Sequence, residues 1–383
     1  HKKGYVIMFF LNMDYLETPC HIIDLDKIKN NISILSLLKK KTNIKILFAL
    51  KGFSNDKIVP MFIDFFDGVS ASSLWEAQLA HDLLKKPVHT YSPAYKRNDI
   101  NQIIDYSDYL IFNSLNQFSL FSQDCILGHV KQGIRINPEY SEVEKYAINP
   151  CHPFSRFGIK ADDLNDSIFK KISGIHFHTM CEQFSDTLRR TIDVIDSNFN
   201  QYLHKIDWIN LGGGQLFTDS SYSLDEAVNC INSLHKKYEF DIFVEPCETV
   251  VLNTGYFVAS VIDIIHNGID IAILDASAIC HLPDIIHSPY RCNIVNAYLP
   301  NEKNFTYRLA GSTCYAGDIF GDYSFNQPLD IGSKIIFMDT APYTMVKSNQ
   351  FNGIKLPSYA IYEKDMPIKV IKQYNYDTFL SML

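Results

Sequence analysis

The chain has no apolar run approaching the roughly 20 residues that a membrane-spanning helix needs; stretches such as Tyr5 to Leu11 are short and interrupted. It has no excess of positive charge. Lys and Arg number 35 against 43 Asp and Glu, a net charge of −8, which argues against a nucleic-acid groove or a polybasic membrane anchor. It has no CxxC pair, and its 9 cysteines are odd in number, so the pattern reads as reduced thiols in a cytosol and not as a disulfide framework or a zinc ribbon. The glycine–lysine phosphate loop of nucleotide hydrolases is missing. So is a glycine loop after the first strand-like run, which counts against an open doubly wound sheet. No internal repeat, low-complexity tract or linker is visible. What remains is 383 residues, 46% hydrophobic and 20% charged. With a mean hydropathy of −0.06 it is an ordinary folded chain, long enough for two domains or for one barrel with an added module. Residues 1–12 read as a tag remnant or an irregular start, because no small-residue cleavage site follows them, with Met8 and Met13 as candidate initiators.

A regular rhythm runs from about residue 24 to about residue 250. Short β-branched runs at 44–50, 68–71, 88–91, 109–112, 133–137, 173–178, 207–211 and 242–245 alternate with segments of helical period. Eight runs is the number a closed parallel barrel needs. Helices are predicted between them, among them 73–84, 183–203 and 223–238, with Ser73, Asn116 and Ser223 as N-caps. After Glu245 the rhythm changes. Runs at 257–264, 271–274, 306–309, 334–338 and 343–347 are β-like without long helices between them, and Asn267-Gly268 and Gly332-Ser333 suit the turns of an antiparallel meander. Residues 20–24 are strand-like and can join that sheet. The expected fold is therefore α/β: a (β/α)8 TIM-like barrel over residues 25–250, with an antiparallel β-domain built from 13–24 and 251–383.

In such a barrel the site lies at the C-terminal ends of the strands. The residues there are Lys51, Ser72 and Ser73, Asn113, Arg135, His178, Gly212-Gly213-Gly214 and Glu245. Polar or glycine residues at most of the rims look like a site. A lysine at the end of a buried strand can form a Schiff base, or it can simply leave the barrel for water. His176 and His178, two apart, would share one face of a strand. They could bind a divalent metal, but no obvious further ligands stand at matching rims, so the metal reading is the weaker one. Three glycines after the seventh strand suit phosphate, since loops seven and eight are the usual phosphate site. Glu245, deep in the barrel, needs a partner, and a protonated pyridine nitrogen would serve. Cys314, in Gly311-Ser312-Thr313-Cys314, says little alone.

Together these residues resemble the fold-type III pyridoxal-phosphate decarboxylases, which join an alanine-racemase-like barrel to a β-domain. The stretches that carry the resemblance are FALK ending at Lys51, SSLWE ending at Glu76, GIRINP at 133–138, SRFGI at 155–159, GIHFH at 174–178, LGGG at 211–214, EP at 245–246, GSTC at 311–314 and YTMVKSNQFNG at 343–353. They run in family order over nearly the whole chain. HLPDIIHSPYR at 281–291, CYAGDIFGDYSF at 314–325 and the MVK after Tyr343 are similar to the carboxynorspermidine (carboxyspermidine) decarboxylase group. Ornithine and diaminopimelate decarboxylases carry an acid directly after the catalytic cysteine, where this chain has Tyr315.

The resemblance implies a pyridoxal 5′-phosphate enzyme and a role for each matching residue. Lys51 would hold the cofactor, His178 stack on its ring and Glu245 pair with the ring nitrogen. Gly212, Gly213, Gly214 and Tyr343 would bind the phosphate, with Arg135 close to the cofactor. Cys314 would reach in from the partner subunit of a homodimer and supply a proton. Two positions depart from the broad family. Cys247-Glu248 replaces the glycine and phosphate-contacting arginine that usually follow Glu-Pro, and Cys181 stands where many relatives have a phosphate-contacting serine. The implied substrate is a carboxy-polyamine with a cationic tail, so acids should line the far end of the pocket. Asp318 is the first candidate beside Tyr315, followed by Asp275, Asp284 and Glu248. The rival readings are a decarboxylase of another basic amino acid such as diaminopimelate, a homologue without turnover, which would be expected to lose Lys51 or Cys314, and a metal-dependent barrel hydrolase.

Overall fold

In the computed structural model, residue 13 and residues 15–383 are described; the readings placed on residues 1–12, Met8 and the run from Tyr5 to Leu11 among them, lie outside these. The chain divides into two compact units, Asn31–Val250 and the described residues up to Asn30 together with Val251–Leu383. The division falls inside the helix Leu25–Thr42.

The first nine strands are β1 (Cys20–Asp24), β2 (Lys45–Ala49), β3 (Gly68–Ala71), β4 (Val88–Tyr91), β5 (Tyr109–Phe112), β6 (Lys131–Arg135), β7 (Gly174–His176), β8 (Trp208–Asn210) and β9 (Asp241–Val244). From β2 to β9 they form a closed barrel of parallel neighbours, and β9 pairs back onto β2 through Lys45 and Phe243. These strands are three to five residues long and nearly all buried, as parallel strands covered on both faces must be. Trp208, Phe243, Leu47 and Ile111 cluster as barrel core. The Trp208 ring fits because β6 and β7 present glycine to it: a Cβ at Gly133 or Gly174 would stand 2.4 or 2.1 Å from ring carbons. His89 stacks on Tyr109 with ring centroids 3.8 Å apart, and burial holds its imidazole neutral by lowering its pKa to about 3.

The helices around the barrel follow their apolar period. Ser185–Leu203 buries Leu188, Ile192, Ile195 and Phe199 on one face. Leu224–Lys237 starts with the Ser223 hydroxyl accepting from the Glu226 N–H, carries Asp225 and Glu226 in its first turn and ends in His235, Lys236 and Lys237, so both ends complement the helix dipole. Ser73 caps Leu74–Leu79 as expected, and a π-turn over Ala80–Leu84 follows. The expected cap at Asn116 is corrected. Ser114 caps Leu115–Leu127, its hydroxyl accepting from the Gln117 N–H, and Asn116 lies inside the first turn.

The other unit carries β1 with β10 (Gly255–His266), β11 (Asp270–Leu274), β12 (Ala297–Tyr298), β13 (Phe305–Ala310), β14 (Ile319–Phe325), β15 (Lys334–Met338), β16 (Ser358–Tyr362) and β17 (Lys369–Lys372). The strand order is β12-β14-β13-β11-β10-β1-β16-β17, with β15 also paired to β10. β1 does join this sheet, antiparallel to β10 and parallel to β16. The sheet is therefore mixed and not antiparallel throughout, because β11–β13 is also a parallel pair whose connection crosses over through residues 275–304. The hairpin at Asn267-Gly268 joins β10 to β11, with Gly268 at φ +72°. The strand expected at 343–347 is not one. Tyr343 has φ +58°, which ends extended pairing, and Met345–Lys347 is a 3-10 turn. Among the described residues no helix is long and apolar enough to cross a membrane, and the nine cysteines are free thiols.

Candidate active site

Because β2 and β9 are neighbours, their C-terminal ends bring Lys51 and Glu245 to one side of the barrel rim. The Lys51 charge acts on Glu245, His178, His176, Glu76, Cys181 and Cys247. Glu245 is 7% exposed. Burial alone would raise its carboxyl, but the His176 ring beside it and the Lys51 charge hold it below the usual carboxylate range. Its Oε1 accepts from Asn210 Nδ2 at 2.8 Å, and its Oε2 lies 3.7 Å from His176 Nε2. Burial lowers the His176 imidazole against the pull of Glu245, so the pair is a neutral ring beside an anion.

His178 lies two residues past the end of β7. Its Nδ1 accepts from the Gly213 N–H at 3.0 Å, which leaves Nε2 as the protonated nitrogen of the neutral ring. Burial, with the Lys51 and Arg135 charges, keeps its pKa well below the ordinary value. Arg135 donates to the His178 carbonyl at 3.0 Å and sits between the rings of Tyr91 and Phe157, 4.8 and 4.5 Å from their centroids. Its place is fixed further by Asn113, whose amide oxygen accepts from Tyr91 Oη and the Gly158 N–H. His176 and His178 thus have separate partners. Among the described residues no three His, Cys, Asp or Glu side chains cluster as a metal site would.

The triple glycine works differently from the expected cradle of free N–H groups. The Gly212 N–H donates to Asn210 Oδ1 at 2.9 Å and the Gly213 N–H to His178. Of the three, only the Gly214 N–H lacks a partner among the described residues. The glycines are required by space. A Cβ at 212, 213 or 214 would stand 2.4, 2.5 or 2.0 Å from the carbonyls of Phe177, Glu245 and Met180, and Gly212 and Gly214 have φ +70° and +86°. Cys181 is half-buried, and burial pushes its thiol up to about 11. Glu248 opens the short helix Glu248–Val251. Glu76 is a rim residue that was legible only as part of a motif. It accepts from the Ser72 N–H at 2.6 Å, and burial raises its carboxyl against the Ser72 amide and the Lys51 charge.

In the sheet unit, sequence-distant motifs meet. Cys314 is exposed, and its N–H donates to Asn352 Oδ1 at 2.8 Å. Asn349 donates to the Ile279 carbonyl, and Lys347 pairs with Asp284 at 2.7 Å. Tyr343 lies under the Lys347 ammonium, 5.0 Å from its ring centroid, and Tyr315 is exposed. Three acids expected to face substrate have partners within this unit. Asp284 is ion-paired with Lys347. Asp275 accepts from the Ser260 N–H and from Thr18 Oγ1, stitching β10 to the segment before β1. Asp318 is 3% exposed. Its Oδ1 accepts from the Ala278 and Ile279 N–H groups at 2.7 and 3.4 Å, and its Oδ2 from the Thr313 N–H and hydroxyl at 3.2 and 2.6 Å. These fill the roughly four lone-pair sites of a carboxylate, so Asp318 clamps the Cys314 loop to the 278–281 turn. Asp318→Asn puts an NH2 against these donors and should cost about 1–3 kcal/mol for each amide left unpaired. Thermal unfolding should show that loss, with turnover falling alike on long and short substrates. A change in preference between them, with the melting temperature intact, would restore a substrate role.

Residues 20–341 match the family described as "Pyridoxal-dependent decarboxylase, C-terminal sheet domain". The chain is 36% identical over 375 residues to a carboxynorspermidine/carboxyspermidine decarboxylase of Campylobacter jejuni, covering 95% of this chain and 98% of that one. It is 37% identical over 318 residues to a carboxyaminopropylagmatine decarboxylase of Synechocystis sp., covering 82% of each. A crystal structure of carboxynorspermidine decarboxylase from Campylobacter jejuni, complexed with norspermidine, superposes with a TM-score of 0.90 at 34% identity, covering 96% of this chain and 100% of that one. With its closed parallel barrel, its mixed sheet and these relatives, the chain belongs to the pyridoxal-dependent decarboxylases, in the group that contains the carboxynorspermidine/carboxyspermidine decarboxylases.

Proposed function

We propose that the chain removes CO2 from carboxynorspermidine or carboxyspermidine, giving norspermidine or spermidine, with pyridoxal 5′-phosphate held on Lys51. The observation that carries this reading is the buried Glu245 carboxylate beside Lys51 and His178. A carboxylate this deep calls for a cationic partner, and a protonated ring nitrogen is one. The rim fits the group in its other parts as well: an amine at Lys51, a neutral imidazole at His178, and a glycine loop that no side chain could replace. When bound, pyridoxal phosphate supplies a conjugated ring that takes up the electron pair left as CO2 departs.

The residues divide the remaining work. Glu245 keeps a proton on the ring nitrogen. His178, oriented by Gly213 and by Arg135 through its own carbonyl, would lie against the ring face. The Gly214 N–H, Cys181 and Tyr343 are assigned to the phosphate. Cys314, from the partner subunit of a homodimer, gives a proton to the carbon that lost CO2, so the C–C bond is replaced by C–H.

A second substrate reading rests on the 37% identity to the carboxyaminopropylagmatine decarboxylase. One panel separates the two. Borohydride reduction and peptide mapping should place a pyridoxyl group on Lys51; a label elsewhere, or none, ends the cofactor assignment. CO2 release should then favour a carboxy-polyamine over ornithine or diaminopimelate by on the order of a thousandfold in kcat/KM, because the shorter chains leave cationic and anionic groups unpaired. Equal activity on either short substrate would leave only the family standing, and preference for carboxyaminopropylagmatine would move the assignment to that substrate.

A further inference from the structure

Asn210, the last residue of β8, is fully buried with no exposed surface. Its side chain makes two bonds in opposite senses. Nδ2 donates to Glu245 Oε1 at 2.8 Å, and Oδ1 accepts from the Gly212 N–H at 2.9 Å. The orientation of the amide is fixed by its partners, since an ionised carboxylate only accepts and a backbone N–H only donates. Gly212 is tied to Glu245 on the main chain as well, its carbonyl accepting from the Glu245 N–H at 2.8 Å. The next amide of the loop, at Gly213, holds His178. The groups that would meet the ring nitrogen and the ring face therefore hang from one short loop, and one buried side chain sets that loop against the carboxylate.

We infer that Asn210 is a positioning residue that couples Glu245 to the glycine loop and directs Oε2 to the ring nitrogen, an inference that rests on the reading of this rim as a pyridoxal-phosphate site. Engaging Oε1 leaves Oε2, 3.7 Å from His176 Nε2, as the oxygen for that nitrogen. Aspartate could not replace it. It would keep the acceptor for Gly212 but lose the donor and set a second anion against Glu245, raising the carboxyl pKa of the pair. Leucine would remove both bonds at similar volume.

The test uses the full chain as wild type, Asn210→Leu, Asn210→Asp, Glu245→Gln and the Asn210→Leu/Glu245→Gln double variant. Affinity for pyridoxal 5′-phosphate is measured by absorbance titration of the cofactor-free protein. The Glu245 carboxyl is followed by carbon NMR in glutamate-labelled protein, its signal identified by its loss in Glu245→Gln. Asn210→Leu should weaken cofactor binding about tenfold or more, the loss of one charge-assisted hydrogen bond, and move the Glu245 titration upward. Asn210→Asp should move it upward too. In the Glu245→Gln background, Asn210→Leu should cost clearly less affinity than in wild type. Unchanged affinity and titration in Asn210→Leu, or the same loss in both backgrounds, would overturn the inference. If the leucine variant does not fold, Asn210→Ala, which removes both bonds without adding a charge, takes its place in the same measurements. Failure of the wild type to take up the cofactor would end the reading of the site, while the titration of the cofactor-free protein would still decide the role of Asn210.

Discussion

Glu245→Gln is expected to lower kcat by about a hundred- to a thousandfold while leaving the chain folded and able to take up pyridoxal phosphate. Glutamine has the shape of glutamate, and its carbonyl can still accept from Asn210 Nδ2 as Oε1 does now. What it loses is the anion. The charge at this position is maintained against burial by the His176 ring beside it and by the Lys51 charge, so the fold keeps Glu245 ionised. An ionised carboxylate favours the protonated form of a basic ring nitrogen, and that form is the stronger electron acceptor. The check is kcat on a carboxy-polyamine, with circular dichroism and cofactor stoichiometry measured on the same preparation. Near-normal kcat with bound cofactor would remove the proposed role.

The second large effect is a recovery. Lys51→Ala and Cys314→Ala should each be inactive alone, and an equal mixture, once subunits exchange, should regain roughly a quarter of wild-type activity. In a two-fold dimer with shared sites, half of the re-sorted molecules are mixed, and each of these has one intact site of two. Lys51 stands at the barrel rim, whereas Cys314 stands exposed on a loop of the other unit, held there by Asn352 and by the Asp318 clamp on its neighbour Thr313. Exchange is verified by mass-tagged subunits. No recovery after verified exchange would put both residues in one chain's site.

The barrel was legible because short parallel strands declare themselves by composition. The runs at 68–71, 88–91 and 109–112 are strands with those bounds, all buried or nearly so. Their ends then located Lys51, Arg135, Gly212 and Glu245. The sheet was less legible. Nothing local distinguishes a strand that will run parallel to a distant partner, so β1–β16 and β11–β13 were not foreseen as parallel pairs. The run 343–347 has strand composition, but its backbone turns at Tyr343. The surroundings of the acids were not legible for a related reason. Whether a carboxylate faces a ligand or main-chain amides depends on neighbours far along the chain, as Ala278 is from Asp318. Asn210 carried a weak signal, a polar residue closing an otherwise apolar strand one residue short of three glycines. A buried strand tolerates such a residue only when its amide is fully bonded.

The placement of β1 between β10 and β16 has a consequence for the order in which the molecule comes into being. Cys20 takes its two sheet partners from Val258 and Ser358. A ribosome releasing about 5–20 residues per second would complete the contiguous barrel segment Asn31–Val250 on the order of seconds to tens of seconds before β16 exists. During that interval β1, made first, has no finished sheet to enter and presents a backbone edge to its surroundings. Nascent chains halted after residue 300 should therefore show protease-resistant barrel fragments with a cleavable N-terminal strand, and full-length chains should protect both.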